Sequence, residues 1–236
     1  MKQTALVLRS CRDDLTSTNN FQWPQVGGVA EAPDWSAEQE CGNGLHGWLY
    51  GQGDHSCSSF LDAGCKWLVV EVEEDRIVIL DGKVKFPRGT VRFIGERHEA
   101  AAYMIEHEER ARSVAVIGAC LTVGEKQMVQ VGAFGTATAG DSGTATAGDR
   151  GTATAGDSGT ATAGYSGTAT AGYSGTATAG YRGTATAGYR GVIAIRYFDS
   201  KADRYRMKVG DIGENGLKPN VAYRLNDKNE FEEVKS

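Results

Sequence analysis

From Gly135 onward the chain repeats an eight-residue unit. Seven perfect GTATAG cores begin at Gly135, Gly143, Gly151, Gly159, Gly167, Gly175 and Gly183, each followed by Asp or Tyr and then by Ser or Arg. A unit this uniform is either a spacer or one layer of a stack. Its richness in Gly, Ala, Thr and Ser alone would suit a low-complexity linker. Its order argues for a stack. T-A-T-A puts two threonines on one side of an extended strand and two alanines on the other, and a flexible linker has no need of period two. Each core is bracketed by glycines, and glycine tolerates the positive φ that a sharp corner demands. Alternating strands and corners are the pattern of a solenoid.

The octad phase runs past the perfect copies. Counting back gives QMVQVGAF (127–134) and ACLTVGEK (119–126), both with glycine at the sixth position; counting forward gives GVIAIRYF (191–198). In these units the alanine positions hold Leu121, Val123, Val129, Val131, Ile193 and Ile195, all apolar. The threonine positions hold a mixture. The alanine side is therefore expected to face inward, with larger groups at both ends as capping units require. An octad is too short for a three-sided coil. Two octads per turn would make a flattened coil of two facing sheets, with coils about 4.8 Å apart and roughly five turns in all. Alternate octads then share a corner. One column reads Asp141, Asp157, Tyr173, Tyr189 and the other Asp149, Tyr165, Tyr181, so the stack has an acidic end and an aromatic end where tyrosines can form a ladder. Alanine methyls bury little surface, so the array is expected to lean on its apolar caps and on a partner surface.

Residues 1–118 read as an α+β globular domain, 119–198 as the solenoid, and 199–236 as a β-rich C-terminal cap. The fold class expected is mainly β: a solenoid of two octads per coil, capped by the α+β domain and by the C-terminal segment. TALVL (4–8) is a first strand. KWLVVEVEEDRIVILDGKVKF (66–86) reads as a β-meander with a tight turn at Asp81-Gly82. VRFIG (91–95) is a further strand. ERHEAAAYMIEHEERAR (96–112) is the best helix, with Ala101, Met104 and Ile105 on one face. RYRMKV, VAYRL and EFEEV look like short strands around a GENGLKPN turn.

The chain has 236 residues and a net charge of −5, with no basic run. That argues against nucleic acid as a partner. No apolar stretch approaches the roughly 20 residues that span a bilayer, so no membrane partner is expected. The start, MKQTALVLRSCRDD, has too short an apolar run for a secretory signal. Five cysteines (Cys11, Cys41, Cys57, Cys65, Cys120) lack regular spacing, which suggests a reduced, cytoplasmic chain.

Cys41, His46, His55, Cys57 and Cys65 fall in one stretch of the first region, and thiolate and imidazole are good zinc ligands. The spacing C-x4-H-x8-H-x-C-x7-C matches no standard knuckle, so no metal is assigned and these residues stand only as candidates. A Cys–His catalytic pair lacks a supporting motif. The glycines of GNGLHGWLYGQG lack the pattern that cradles phosphate. Asp141, Asp149 and Asp157 do not follow the glycine-and-aspartate pattern of repeat calcium sites. No catalytic residue and no cofactor is assigned.

The repeat resembles the T-x-T-A-G-rich repeats of bacterial ice-nucleation proteins and, more broadly, bacterial octapeptide-repeat proteins. GTATAG carries that resemblance, over about residues 119–198. CGNGLHGW (41–48) and GKVKFPRG (82–89) look like the globular head of repeat proteins of the same kind, which implies no nameable activity. The resemblance implies a β-solenoid whose threonines form a water-ordering lattice. The surface expected to interact comprises Thr136, Thr138, Thr144, Thr146, Thr152, Thr154, Thr160, Thr162, Thr168, Thr170, Thr176, Thr178, Thr184 and Thr186, with Tyr165, Tyr173, Tyr181 and Tyr189. Threonines are also simply β-branched residues that suit an outward sheet face. Ice nucleators are surface-attached or secreted and carry very long arrays, whereas five turns are too few to organise a large ice embryo. Three readings follow. The first is a non-enzymatic structural or interaction scaffold that self-associates through its solenoid as a homodimer. The second is an ice- or water-ordering binding protein. The third is a small enzyme in the first domain.

Overall fold

The computed structural model describes residues 3–235. They form two compact units, Met1–Ile117 and Gly118–Ser236. Strand dominates both, as the sequence predicts.

The first unit contains β1 (Thr4–Cys11), β2 (Val29–Glu31), β3 (Leu45–Leu49), β4 (Lys66–Glu73), β5 (Val78–Ile79), β6 (Val84–Phe86), β7 (Arg88–Gly95) and α1 (Arg97–His107). The strands make one antiparallel sheet in the order β2-β7-β4-β1-β3-β6-β5. β1 and β4 are apolar on both faces, so they take the centre. α1 packs on β1, β4 and β7, where Tyr103 meets Phe93 with ring centroids 5.2 Å apart. A second core gathers Val7, Cys11, Leu68, Val70 and Val91 with Trp23 and Phe86.

Two expectations need correction. Residues 66–86 are not a meander. β5 and β6 form the hairpin, with Gly82 at φ +71°, but β4 pairs with β1 and β7 instead. A strand buried on both faces needs full-length neighbours, and the two-residue β5 cannot serve. The helix also stops at His107 and a 3-10 turn, Glu109–Ser113, follows. The reason is Glu108, which is 6% exposed. Its carboxylate turns inward to accept from the Leu6 N–H at 3.2 Å and from Arg110 Nε at 2.6 Å, an arrangement incompatible with a solvated helix face.

In the second unit β8 (Cys120–Val123), β9 (Met128–Val131), β10 (Thr136–Ala139), β11 (Thr144–Ala147), β12 (Thr152–Ala155), β13 (Thr160–Ala163), β14 (Thr168–Ala171), β15 (Thr176–Ala179), β16 (Thr184–Ala187) and β17 (Val192–Asp199) alternate between two sheets. One runs β16-β14-β12-β10-β8 and the other β17-β15-β13-β11-β9. All these neighbours are parallel and in register: Thr136 lies beside Thr152 and Ala137 beside Ala153, sixteen residues on. That is a solenoid of two octads per coil. The alanines are 0–3% exposed, so the methyl side is the inside.

The corners work differently from the expectation. The glycines flanking each core do not carry the positive φ. The eighth residue does, at +51° to +62° through Ser142, Arg150, Ser158, Ser166, Ser174, Arg182 and Arg190. From Ser142 to Ser174 its N–H donates to the next coil's corner carbonyl, as from Ser142 to Asp157 O at 2.7 Å and Arg150 to Tyr165 O at 2.7 Å. The glycines are required because coils touch there. A Cβ on Gly148 would sit 2.6 Å from Ala133 N, and one on Gly151 would sit 2.9 Å from Ala147 Cβ and from Gly135 O.

β18 (Arg204–Asp211) pairs antiparallel with β17, and β19 (Tyr223–Leu225) pairs with β16 and with β20 (Phe231–Glu233). The C-terminal segment thus continues both solenoid sheets. Ile193 and Ile195 stand in register with Ala177 and Ala179, and buried Ile212, Leu217 and Tyr223 close that end.

The corner account is tested by two substitutions. Gly148→Ala forces a methyl into the neighbouring coil and is expected to destabilise the solenoid by about 1–3 kcal/mol. Ser158→Gly, at the positive-φ position, removes roughly 1 kcal/mol of left-handed strain and is expected to leave stability unchanged or higher. Denaturant midpoints of the two variants decide it.

Candidate functional site

The parallel register turns the threonines into files. On the face built from β10, β12, β14 and β16, Thr136, Thr152, Thr168 and Thr184 form one file and Thr138, Thr154, Thr170 and Thr186 a second. Thr122 of β8 extends the second file. The opposite face holds files of three, Thr144, Thr160, Thr176 and Thr146, Thr162, Thr178. These are interrupted by Met128 and Gln130 at one end and by Val192 and Ala194 at the other. All fourteen are exposed or half-buried. Neighbours repeat about 4.8 Å apart across coils and about 6.8 Å along a strand. The first face is therefore the larger uninterrupted lattice of hydroxyls and methyls.

The corner columns sort as the octad phase predicts. In the acidic half, each aspartate caps the coil above it. Asp141 Oδ1 accepts from the Asp157 N–H, Asp149 Oδ1 from Tyr165 and Asp157 Oδ1 from Tyr173, each at 2.8 Å. Beyond them aromatic contact takes over. Tyr165 and Tyr181 lie 6.1 Å apart by ring centroid, and Tyr173 and Tyr189 lie 6.2 Å apart. Arg182 donates to the Tyr165 hydroxyl at 3.4 Å and Arg190 to that of Tyr173 at 3.1 Å. Their guanidinium groups also lie over the rings of Tyr181 and Tyr189 at 5.4 and 5.7 Å. These arginines were missed by sequence reading, although each immediately follows a corner tyrosine. Tyr173 is 43% and Tyr189 55% exposed, which leaves a rigid aromatic edge in water.

In the first unit, Cys41, His46 and Cys57 line one cavity of about 600 Å³, while His55 and Cys65 are not on its wall. Among the described residues no group of three or more His, Cys, Asp or Glu side chains is placed to hold a metal ion. The Cys57 thiol is pushed up by burial first and by Asp54 second, which opposes a thiolate ligand. Cations surround His46 instead. Burial, then Lys83, Arg9 and Lys85, push it down to about 4. Arg9 and Lys83 belong to this wall and were overlooked. The clue was present in TALVLRSC, where a lone arginine interrupts an apolar strand.

These features define a β-solenoid repeat protein with a threonine lattice, carrying a separate sheet-and-helix unit. Residues 5–106 match a family model described as "Domain of unknown function (DUF7666)". The chain is 32% identical over 104 residues to the ice nucleation protein InaU of Pantoea ananas. It is 35% identical over 107 residues to the ice nucleation protein of Pseudomonas fluorescens, and 37% over 101 residues to that of Xanthomonas campestris pv. translucens. These matches cover 43%, 44% and 42% of this chain but 10%, 9% and 6% of the relatives, so the chain spans a tenth or less of their length. The expected resemblance to ice-nucleation proteins and the β-solenoid it implies are borne out. No solved structure matches. Among the described residues no helix is long and apolar enough to cross a membrane.

The depressed His46 pKa carries a sign. Above the unfolded value of about 6.5 both states leave the ring neutral. As pH falls below it, the unfolded chain takes up a proton that the folded chain refuses until about 4, so stability is lost across that window. Replacing His46 with Gln is expected to flatten the decline between those pH values, read as the change in denaturant midpoint relative to the unsubstituted protein.

Proposed function

We propose that this chain is a non-enzymatic repeat protein whose larger threonine face orders water and binds ice. The observation that carries the reading is the pair of threonine files, one of four members and one of five, on rigid, in-register parallel strands. Hydroxyls and methyls held at fixed spacings present water with a pre-ordered surface, and little conformational entropy is lost when it is engaged. The relatives named as ice nucleation proteins support the same reading. Their arrays belong to far longer chains, so five coils suit adsorption to ice better than nucleation of it.

Thermal hysteresis and ice-crystal shaping by the purified chain test this directly. Faceted crystals and a measurable hysteresis gap are expected. Lysine at Thr152 and Thr168 together should abolish both while the far-ultraviolet circular dichroism stays the same. Unshaped ice growth at high concentration of the unsubstituted chain would contradict the proposal.

A second reading, compatible with the first, is side-by-side self-association through the aromatic edge. It rests on the exposed Tyr173 and Tyr189 rings with Arg190 held against them. Tyrosine and arginine are the side chains that most often anchor protein interfaces. Two chains paired in this way would widen the lattice. Sedimentation velocity over a concentration series should show a dimer that Tyr173→Ala with Tyr189→Ala weakens. A monomer at every concentration would remove this reading and leave the ice-binding test untouched.

A further inference from the structure

We propose that the cavity in the first unit binds a small molecule through an oxyanion group, a carboxylate or a phosphate, with Arg9 and Lys83 as the charge partners and His46 beside them. The cavity wall carries an unmatched charge. Arg9 is drawn into the fold among apolar strands, and burial pushes its guanidinium down to about 10, with the Cys11 thiol as the opposing influence. Among the described residues neither Arg9 nor Lys83 pairs with a carboxylate, and Asp34 is the acidic residue on the cavity wall. A buried cation without a counter-charge is costly, and an arriving anion removes that cost.

Arg9 Nη1 donates to the His46 carbonyl at 2.8 Å. Its Nε is buried and without a partner, as is His46 Nε2. The Nε edge of a guanidinium is one of the edges that grips a carboxylate or phosphate with parallel bonds. His46 Nε2 is thus open to a ligand, and the ring donates from it to an oxyanion once it is protonated. Arg9, His46 and Lys83 also share a recess of about 20 Å³, lined in addition by Ser58. One oxygen fits such a space. A water there would satisfy a donor but leave the charge as it is.

The 600 Å³ cavity falls in the range of small-molecule sites, roughly 300–1,000 Å³. Phe21, Trp23 and Phe60 give it an apolar side, and the Arg9 guanidinium lies 5.3 Å from the Trp23 ring centroid. That suits a ligand with an anionic head and an apolar body. Lys83 Nζ stands 3.0 Å from Cys41 Sγ, a weak acceptor that a ligand oxygen can displace.

The test uses the full chain, with sodium benzoate and sodium phosphate as probes and sodium chloride at matched ionic strength as control, read by the ring resonances of His46. Saturable shifts in the millimolar range are expected from at least one probe, together with a rise in the His46 pKa, since a bound anion stabilises the imidazolium. A response to benzoate alone supports a carboxylate ligand, and a response to phosphate alone a phosphate. Lys83→Gln, at the half-buried turn before β6, should weaken binding by about tenfold. Arg9→Lys keeps the charge but loses the fork, and should weaken it as well. Shifts no larger than those from chloride for both probes, or a Lys83→Gln variant that binds as tightly as the unsubstituted chain, would overturn the proposal.

Discussion

The solenoid depends on how closely its own backbone can approach itself. Each coil rests on the one before, and the corner glycines are where the two chains touch. A single methyl at Gly148 would fall 2.6 Å from Ala133 N, well inside contact distance. The alanines meet the same demand between the sheets. Their methyls are 0–3% exposed and stand in unbroken register from β10 to β16. Small residues do not bury much surface, but they let every coil donate and accept a full ladder of hydrogen bonds. Stability comes from that repetition and from the larger groups at the ends, Val129 and Val131 before the array and Ile193 and Ile195 after it.

Because the inside is fixed by methyls and bare backbone, the outside is free to carry chemistry. The sixteen-residue coil lines up identical outward residues, so one threonine becomes a file and one tyrosine becomes a ladder. The corner columns show two solutions to the same local problem. Asp141, Asp149 and Asp157 accept the corner N–H of the next coil. Tyrosine cannot do so, and the later corners hold through ring contacts and arginine–phenol bonds. The exchange trades a capping bond for an exposed aromatic edge.

Much of this was legible in the octads. Alternation placed alanine inside and threonine outside, and the apolar substitutions at positions 121–131 and 193–195 decided the direction. The eight-residue phase sorts Asp141, Asp157, Tyr173 and Tyr189 into one column. The conformational role of the corners was misread. Glycine suggests positive φ, yet Ser142 and Arg150 adopt it while the glycines answer a steric demand from a coil sixteen residues away. That demand is non-local and leaves no mark within one octad. The first unit was harder for the same reason. β4 pairs with β1 across more than fifty residues that include β2 and β3, and local patterning around Asp81-Gly82 could reveal only the hairpin. Cys41, His46 and Cys57 did come together, but the chemistry of their cavity is set by Arg9 and Lys83, which a search for metal ligands overlooks.

The central claim is that the octads close into coils of sixteen residues with the eighth residue bonded to the coil that follows. Amide hydrogen exchange reads this bond by bond, because protection follows hydrogen bonding in cooperatively folded segments. The N–H groups of Ser142, Ser158 and Ser174 donate to Asp157, Tyr173 and Tyr189 carbonyls. They should therefore exchange slowly, alongside the threonine and alanine amides of β10 to β16, despite lying at exposed corners. Exchange at the rate of an unstructured peptide throughout residues 135–190 would mean that the octads do not stack.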